Sequence, residues 1–203
     1  MTPARGDHEA RRRDVSEAVW RVLAARGFGG LTLRAVAAEL DASTGLLTHY
    51  FPNKRALVAH ALDVLDRQHA DRDRPATAEV GPAQGLAMLR AVLLDILPLD
   101  AESAAGNRIW VGSWDPALAD PGLTADHAER YRRARRRMTA LCEQAQSLGE
   151  LPATRNAADL AAEAQSFALG LVVQALFAPA DFPPERQRAL LDAFLADLAA
   201  GAR

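Results

Sequence analysis

Apolar residues near the start of the chain recur at the spacing of an amphipathic helix. The spacing of three or four positions places four of them on one face of a helix: Val15, Val19, Val22 and Leu23. The glycines of "RGFGG" follow directly and end the pattern. These positions predict a first helix over about residues 8–27.

Two short helices follow, and each opens on a hydroxyl residue that can accept a backbone hydrogen bond. Thr32 is placed to cap a helix from Leu33 to Leu40, and Ser43 to cap another that runs to about Tyr50. Asp41 stands in the turn between them, where a residue that tolerates positive φ is needed. Two short helices joined by so tight a turn predict a helix-turn-helix, whose second helix lies in the major groove of DNA.

Longer helical patterns fill the rest of the chain, with prolines between them. The fourth helix is predicted at 54–72, and five more at about 83–96, 101–114, 124–148, 156–178 and 184–200. The segment "DRPATAEVGPAQG" (Asp73 to Gly85) has the composition of a linker. The predicted fold class is therefore all-α with about nine helices. An N-terminal three-helix domain (8–54) precedes a larger C-terminal helical domain (55–203), and the fourth helix connects them.

Composition limits the class of protein. Hydrophobic residues make up 49% of the chain and charged residues 25%, which is the balance of a folded globular protein. The single cysteine, Cys142, cannot form an internal disulfide, and this fits a reducing cytoplasmic location. No run approaches the roughly 18 apolar residues that a membrane span needs, and the charged amino-terminus has no signal core. We expect a cytoplasmic protein without a membrane partner.

Charge is unevenly distributed along the chain. Residues 1–60 carry nine Lys and Arg against six Asp and Glu, whereas residues 61–203 carry 15 against 20. The overall charge of -2 hides this contrast. A slightly basic head on an acidic body favours an anionic partner for the head alone.

Residues at the start of the third helix have the types expected at a DNA surface. Ser43, Thr44 and Thr48 are polar, and Gly45 lets the backbone come close to DNA. Lys54 opens the fourth helix, where its ammonium and the helix amides can together hold a phosphate. Each residue alone has a simpler explanation, since Ser or Thr before a helix is usually only a cap. The agreement of the whole pattern over about 20 residues is what makes it specific.

The segment "GFGGLTLRAVAAELDASTGLLTHYFPNKRALV" resembles, helix by helix, the DNA-binding domain of the TetR family of one-component repressors. The resemblance covers residues 11–60, and "STGLLTHYF" followed by "NK" is nearest to the BetI-type branch, the choline-responsive repressors of betaine synthesis. Thr48 and Asp41 depart from the family, which typically has an aromatic and a glycine there. The resemblance implies base contacts by Arg34, Thr44 and Thr48, close approach at Gly45, and phosphate contacts by Thr32, Ser43, His49, Tyr50 and Lys54.

The function implied by this resemblance is that of a ligand-responsive transcriptional regulator that acts as a repressor. It would bind a pseudo-palindromic operator in double-stranded DNA as a homodimer and be released by a small-molecule effector. The last two helices are more apolar than surface helices, and the family pairs them across a two-fold axis. The dimer interface would then contain Leu160, Ala164, Phe167, Leu171, Leu190, Phe194 and Leu198. The alternative is a thick core within one chain.

Aromatic residues of the C-terminal domain suggest a ligand pocket. Trp110 and Trp114 lie four positions apart and share a helix face. Together with Tyr131, Phe167 and Leu171 they could line a cavity, and an aromatic cage suits a quaternary ammonium. Ordinary core packing is the simpler explanation of the same residues. No acidic residue is clearly aimed at such a cage, so choline is not assigned as the ligand.

No set of catalytic residues stands out. The five histidines show no metal-ligand spacing with Cys142, and neither a Gly-rich phosphate loop nor a nucleophile elbow is present. We therefore expect no enzyme activity, no metal and no cofactor. Two alternatives remain open: a DNA-binding regulator controlled by a protein partner instead of a small molecule, and a helical enzyme or carrier whose head only mimics the motif.

Overall fold

The computed structural model describes residues 5–71, 74–80 and 84–201. These ranges contain helices and turns but no strand, which confirms the all-α prediction. The helices are α1 (Arg5–Arg26), α2 (Leu33–Glu39), α3 (Thr44–Tyr50), α4 (Lys54–Asp71), α5 (Pro75–Val80), α6 (Gly85–Leu94), α7 (Ala101–Gly112), α8 (Trp114–Leu118), α9 (Pro121–Ser147), α10 (Ala157–Phe177) and α11 (Pro184–Ala199).

Two short helices of the described chain were not expected. One is α5, which forms inside the segment predicted to be a linker. Its first turn is capped from a distance, because the carboxylate of Asp95 accepts the backbone N–H groups of Ala76 and Thr77, each at 3.1 Å. The other is α8, which a turn at Ser113 separates from α7. A cap that comes from a distant residue leaves no local sequence signal, so α5 could not be found from its own composition.

The first compact unit groups Met1–Arg72 with Arg108–Thr124. Within it, α1 packs against α2 and α4, and α2 packs against α3. Its largest fully buried side chains are Leu23, Leu31, Leu47, Leu57, Leu62 and Leu65. Burial of these leucines stabilises the three-helix head against α4. The domain boundary expected between residues 54 and 55 stays a prediction.

The second compact unit groups Asp73–Asn107 with Ala125–Arg203. Its core forms where α6, α10 and α11 pack against one another, with α5 beside α6. The fully buried side chains at this junction include Leu89, Leu93, Leu160, Leu191 and Leu198. The second unit is thus organised around α10.

Helix α10 is long and apolar enough to cross a membrane by length and composition alone. This does not contradict the expectation that no uninterrupted apolar run approaches 18 residues, because polar residues interrupt α10, which reaches its mean hydropathy through its alanines, leucines and valines. Asp159 and Glu163 interrupt the helix near its start. One face of α10 is buried against α6 and α11, which is the position of a core helix.

Candidate nucleic-acid interface

Hydroxyl caps begin both helices of the helix-turn-helix. Thr32 Oγ1 accepts the backbone N–H of Ala35 at 3.0 Å, and Ser43 Oγ accepts that of Leu46 at 3.3 Å. A hydroxyl has one donor and two acceptor lone pairs, and capping uses only an acceptor. Each cap residue therefore retains an O–H that can donate to a phosphate oxygen.

The turn between α2 and α3 has the strained backbone that the sequence indicated. Asp41 has φ of 49°, the single positive φ among the described residues other than glycine. Asp is one of the few side chains that enter this left-handed region readily. Buried Val36 and Leu47 then fix α3 across α2, and the small side chain of Ala37 is buried beside them. The relative position of the two helices is thus set by packing and not by the turn alone.

Polar residues of the exposed α3 surface could meet DNA directly. Ser43, Thr44, Gly45, Thr48 and His49 are all exposed. Sequence reasoning placed these residues at the interface, and the fold presents them together at one end and one side of α3. Small polar side chains in this position can reach base edges in a major groove.

Thr48 has its hydroxyl hydrogen already engaged. Its Oγ1 donates to the carbonyl oxygen of Gly45 at 2.8 Å. The side chain consequently offers only oxygen lone pairs and a methyl group to a partner. Such a residue can accept a hydrogen bond from the amino group of adenine or cytosine, or contact the methyl group of thymine.

Gly45 is not required by the packing of the protein. A Cβ built at this position would have Ser43 Oγ, 3.8 Å away, as its nearest neighbour, which is an ordinary contact. Its φ also lies outside the range that favours glycine. The absence of a side chain leaves room for an external partner at the start of α3.

Leu46 was missed by sequence reasoning. This apolar residue is 38% exposed on α3, two positions from each of the polar residues Thr44 and Thr48. Successive helical residues point about 100° apart, so the burial of Leu47 turns Leu46 towards the surface. That geometry could have identified it as an apolar contact for a thymine methyl group.

Two exposed cations belong to the helices that precede and follow α3 in the chain. Arg34 on α2 and Lys54 at the start of α4 are both exposed, and neither forms an ion pair with another described residue. Asn53 Oδ1 caps α4 by accepting the backbone N–H of Ala56 at 2.9 Å. Tyr50 is half-buried against the core of the first unit. The two charges can therefore pair with an external anion.

The residues expected in the ligand pocket fall in both compact units. Trp110 and Trp114 belong to the first, and Trp114 Nε1 is buried without a hydrogen-bond partner among the described residues. Tyr131 and Phe167 belong to the second. The Tyr131 ring lies edge-on to His127 with centroids 5.5 Å apart, and Phe167 stacks on Phe194 at 4.2 Å. Leu171 is buried in the second unit. The pocket stays a prediction.

The residues expected at the dimer interface are mostly interior to one chain. Leu160, Ala164 and Leu198 are fully buried, and Leu171 and Phe194 are nearly so. These five side chains are therefore buried within the protomer, and their place at a dimer interface stays a prediction. Phe167 and Leu190 remain half-buried. The apolar stripe was wide enough to show burial but could not show which edge faces outward.

The exposed surface of α10 and α11 uses other positions. On α10 it includes Gly170, Gln174 and Phe177, and the Phe177 side chain is 83% exposed. On α11 it includes Ala189 and Ala193. Each set follows helical spacing, so each lies on one face of its helix. An exposed aromatic beside small residues is typical of a protein contact.

Capped short helices, a tight turn and an exposed polar helix start define a helix-turn-helix DNA-binding protein. Residues 16–61 match the family model described as bacterial regulatory proteins, tetR family. Residues 85–200 match the model described as BetI-type transcriptional repressor, C-terminal. The chain belongs to the TetR family, and it is a transcriptional regulator, not an enzyme.

Known relatives support the same assignment. The transcriptional regulator BetI of Burkholderia mallei (strain NCTC 10229) is 30% identical over 162 residues, which cover 79% of this chain and 80% of BetI. PksA of Bacillus subtilis (strain 168) is 32% identical over 109 residues, and this match spans 53% of the chain and about half of PksA, 52%. A transcriptional regulator from Saccharomonospora viridis, solved in complex with choline, shares the fold with a TM-score of 0.79 at 21% identity, covering 93% and 96% of the two chains.

Proposed function

We propose that this chain is a cytoplasmic, ligand-responsive repressor that binds a pseudo-palindromic operator as a homodimer. The observation that carries the proposal is the exposed polar start of α3, together with two exposed cations on the preceding and following helices that lack ion-pair partners among the described residues. Charge-assisted and hydroxyl contacts of this kind position a helix-turn-helix on the phosphate backbone. Two such heads related by a two-fold axis require a pseudo-palindromic site.

The DNA contacts divide by the chemistry of each side chain. Thr32, Ser43 and Lys54 hold phosphates, since the two caps retain a donor and the lysine carries a charge. Tyr50 and His49 add further phosphate contacts. Base edges are read by side chains that reach the groove: Arg34, Thr44, Leu46 and Thr48.

The protomers pair through the outward faces of α10 and α11. Phe177 and the small residues Gly170 and Ala193 support this, because small side chains permit close approach and the aromatic ring gains from burial. A two-fold pairing of two helices from each chain forms a four-helix bundle. The wholly buried residues of the same helices support that bundle from inside each protomer.

A small molecule releases the repressor from DNA. Support comes from Trp114 Nε1, because a buried N–H without a protein partner can donate to an acceptor on a ligand. The ligand acts only through its preference for the state that does not fit the operator. Choline heads the compounds to be screened, because a neighbour of the same fold is solved in complex with it.

Fluorescence anisotropy with DNA from the flanks of its own gene tests the proposal. Saturable binding that is lost on adding a compound found by thermal-shift screening would support a ligand-responsive repressor. Saturable binding that no screened compound affects would favour control by a protein partner. Failure to distinguish any flanking DNA from an unrelated duplex would contradict the DNA-binding proposal.

A further inference from the structure

A cleft of about 680 Å³ lies between α1 and α4 in the first unit, on a surface that the DNA-binding proposal does not use. Four arginines line it, Arg12, Arg13 and Arg21 from α1 and Arg67 from α4. Its remaining wall includes Trp20 and Val64. The cleft thus combines a concentration of positive charge with an apolar surface.

Three of the four arginines form no ion pair in the described structure, although the carboxylate of Glu17 also lines the cleft. Arg21 is paired, since it contacts Glu39 at 3.2 Å and Glu17 at 3.9 Å. Arg12, Arg13 and Arg67 are exposed and form no ion pair with any described residue. Like charges that converge on one concavity raise its potential and attract small anions.

A histidine and a serine form the polar floor of this cleft. Ser16 Oγ donates to the carbonyl oxygen of Arg12 at 3.0 Å, and it lies 3.2 Å from His60 Nε2. Because the serine hydrogen is already used, we assign the hydrogen of the second contact to His60 Nε2. Burial, then Arg67 and Arg12, lower the pKa of His60, whereas Asp63 raises it. An anion bound beside the imidazole would favour its protonated form.

The apolar wall restricts what the anion can be. Trp20 is half-buried, so its indole offers apolar surface next to the charges, whereas Val64 is buried and lies behind that surface. An aromatic or aliphatic body can pack there while an anionic group meets the arginines. An inorganic ion would contact the arginines but would leave the apolar wall without a partner.

The position of the cleft along α4 separates it from the expected phosphate contact of Lys54. Arg67 follows Lys54 by 13 positions in the same helix, from Lys54–Asp71. At 1.5 Å per residue this places the two about 20 Å apart along the helix axis. One phosphate cannot contact both residues, so an anion in the cleft would be a different group from the DNA phosphate expected at Lys54.

We propose that the cleft between α1 and α4 binds a small organic anion, whose phosphate or carboxylate group pairs with Arg12, Arg13 and Arg67 and whose apolar body packs on Trp20. The site is independent of DNA binding and of the ligand pocket expected in the C-terminal domain. A protein that failed to bind an operator would still carry this site.

Isothermal titration of the full chain with phenyl phosphate at low salt tests the site. We expect one phenyl phosphate per chain, and affinity about tenfold lower in each of Arg12→Gln and Arg67→Gln, since each removes one charge-assisted contact. Arg11→Gln is the matched control, because Arg11 is an exposed residue of the same helix that does not line the cleft. Its affinity should stay within about twofold of the parent.

A second readout follows the histidine. The pKa of His60, measured by NMR of its ring protons, should rise when phenyl phosphate is added to the parent, and the same rise in Arg67→Gln should need about tenfold more phenyl phosphate. A calorimetric titration that did not saturate would overturn the proposal. An equal loss of phenyl phosphate affinity in Arg11→Gln would also overturn it. The proposal would also fail if the protein did not bind phenyl phosphate and Arg67→Gln reduced the salt slope of DNA binding by about one unit. Arg67 would then contact a DNA phosphate.

Discussion

Arg55 Nε donates to Asp120 Oδ2 at 2.8 Å, and this ion pair joins the first turn of α4 to the turn between α8 and α9. The same carboxylate also caps α9, since its Oδ1 accepts the backbone N–H groups of Gly122 at 2.9 Å and Leu123 at 3.0 Å. A Cβ on Gly122 would overlap the Arg55 guanidinium. One aspartate therefore fixes both a helix start and a contact between segments 65 positions apart.

The pH dependence of stability should report this cap. Backbone donation from Leu123, then the Arg55 side chain, hold the pKa of Asp120 below its ordinary value of 3.8. A carboxyl with a depressed pKa stabilises the fold above its unfolded pKa, and the stabilisation is lost as pH falls through its folded pKa. Asp120→Asn should be less stable than the parent from pH 7 to about pH 5, with the gap narrowing below about pH 4.

Urea denaturation at a series of pH values measures this difference. Asp126→Asn is the control, because it removes an exposed carboxylate of the same helix that caps no turn. A gap between Asp120→Asn and the parent that widened as pH fell would contradict the assigned role.

Gly45→Ala should separate folding from DNA binding. The new methyl group has room in the protein, and Ala favours a helix, so thermal stability should be unchanged or slightly higher. Affinity for DNA should fall about tenfold or more for every sequence, because the methyl group blocks close approach of the backbone. Gly29→Ala, at a position with no neighbour within 4 Å of the added carbon, is the control. Equal DNA affinity in both variants would remove Gly45 from the interface.

Lys54→Ala should weaken binding to all DNA alike and reduce the salt slope of log affinity by about one unit. Lys54 is the sole lysine of the sequence, so an amine-reactive label followed by mass spectrometry can also test whether DNA protects it. Arg188→Ala, an exposed residue of α11, should leave the slope unchanged. A change of base preference with an unchanged slope would exclude the phosphate role.

Two substitutions at Thr48 distinguish its lone pairs from its methyl group. Thr48→Val keeps a methyl group and removes the oxygen, whereas Thr48→Ser keeps the oxygen and removes the methyl. If Thr48 accepts from an amino group of a base, selection from random duplexes should show altered preference at one or two base pairs for the valine variant alone. If it contacts a thymine methyl, only the serine variant should change. Identical selected sequences for all three proteins would remove Thr48 from the base readers.

Substitutions in α10 and α11 should divide core residues from interface residues. Leu198→Ala should lower the free energy of unfolding by about 2–5 kcal/mol, because it leaves a cavity in the protomer. Phe177→Glu should instead leave the protomer folded and produce a monomer, since the exposed ring would be replaced by a charge at the proposed contact. Sedimentation velocity and circular dichroism together measure both effects. If Phe177→Glu formed a dimer as tightly as the parent protein, the interface would lie elsewhere.

Local signals in the sequence were sufficient to predict the helix-turn-helix of the N-terminal domain. Thr32 and Ser43 cap their helices, Asp41 takes the positive φ, and Leu47 is buried as helical spacing indicated. All of these depend on residues within a few positions of one another. The cap of α5 by Asp95 and the ion pair from Arg55 depend on distant residues, and no local pattern contains them.

The apolar faces of the second unit could be found from the sequence, but their direction could not. Leu160 and Leu198 share helical spacing with other apolar residues, and that spacing is the same for a core and for an interface. Only the packing of α6 on α10 and α11 decides that these leucines are interior. Leu46 is the opposite case. It is apolar but exposed, because the helical rotation that buries Leu47 turns Leu46 towards solvent.

Native mass spectrometry of the full chain with duplexes selected from a random library tests the central claim most directly. We expect two chains on each selected duplex, and half-sites related by a two-fold axis and separated by about one helical turn or a multiple of it. A single chain bound to each duplex, or selected sequences without any two-fold relation, would contradict it.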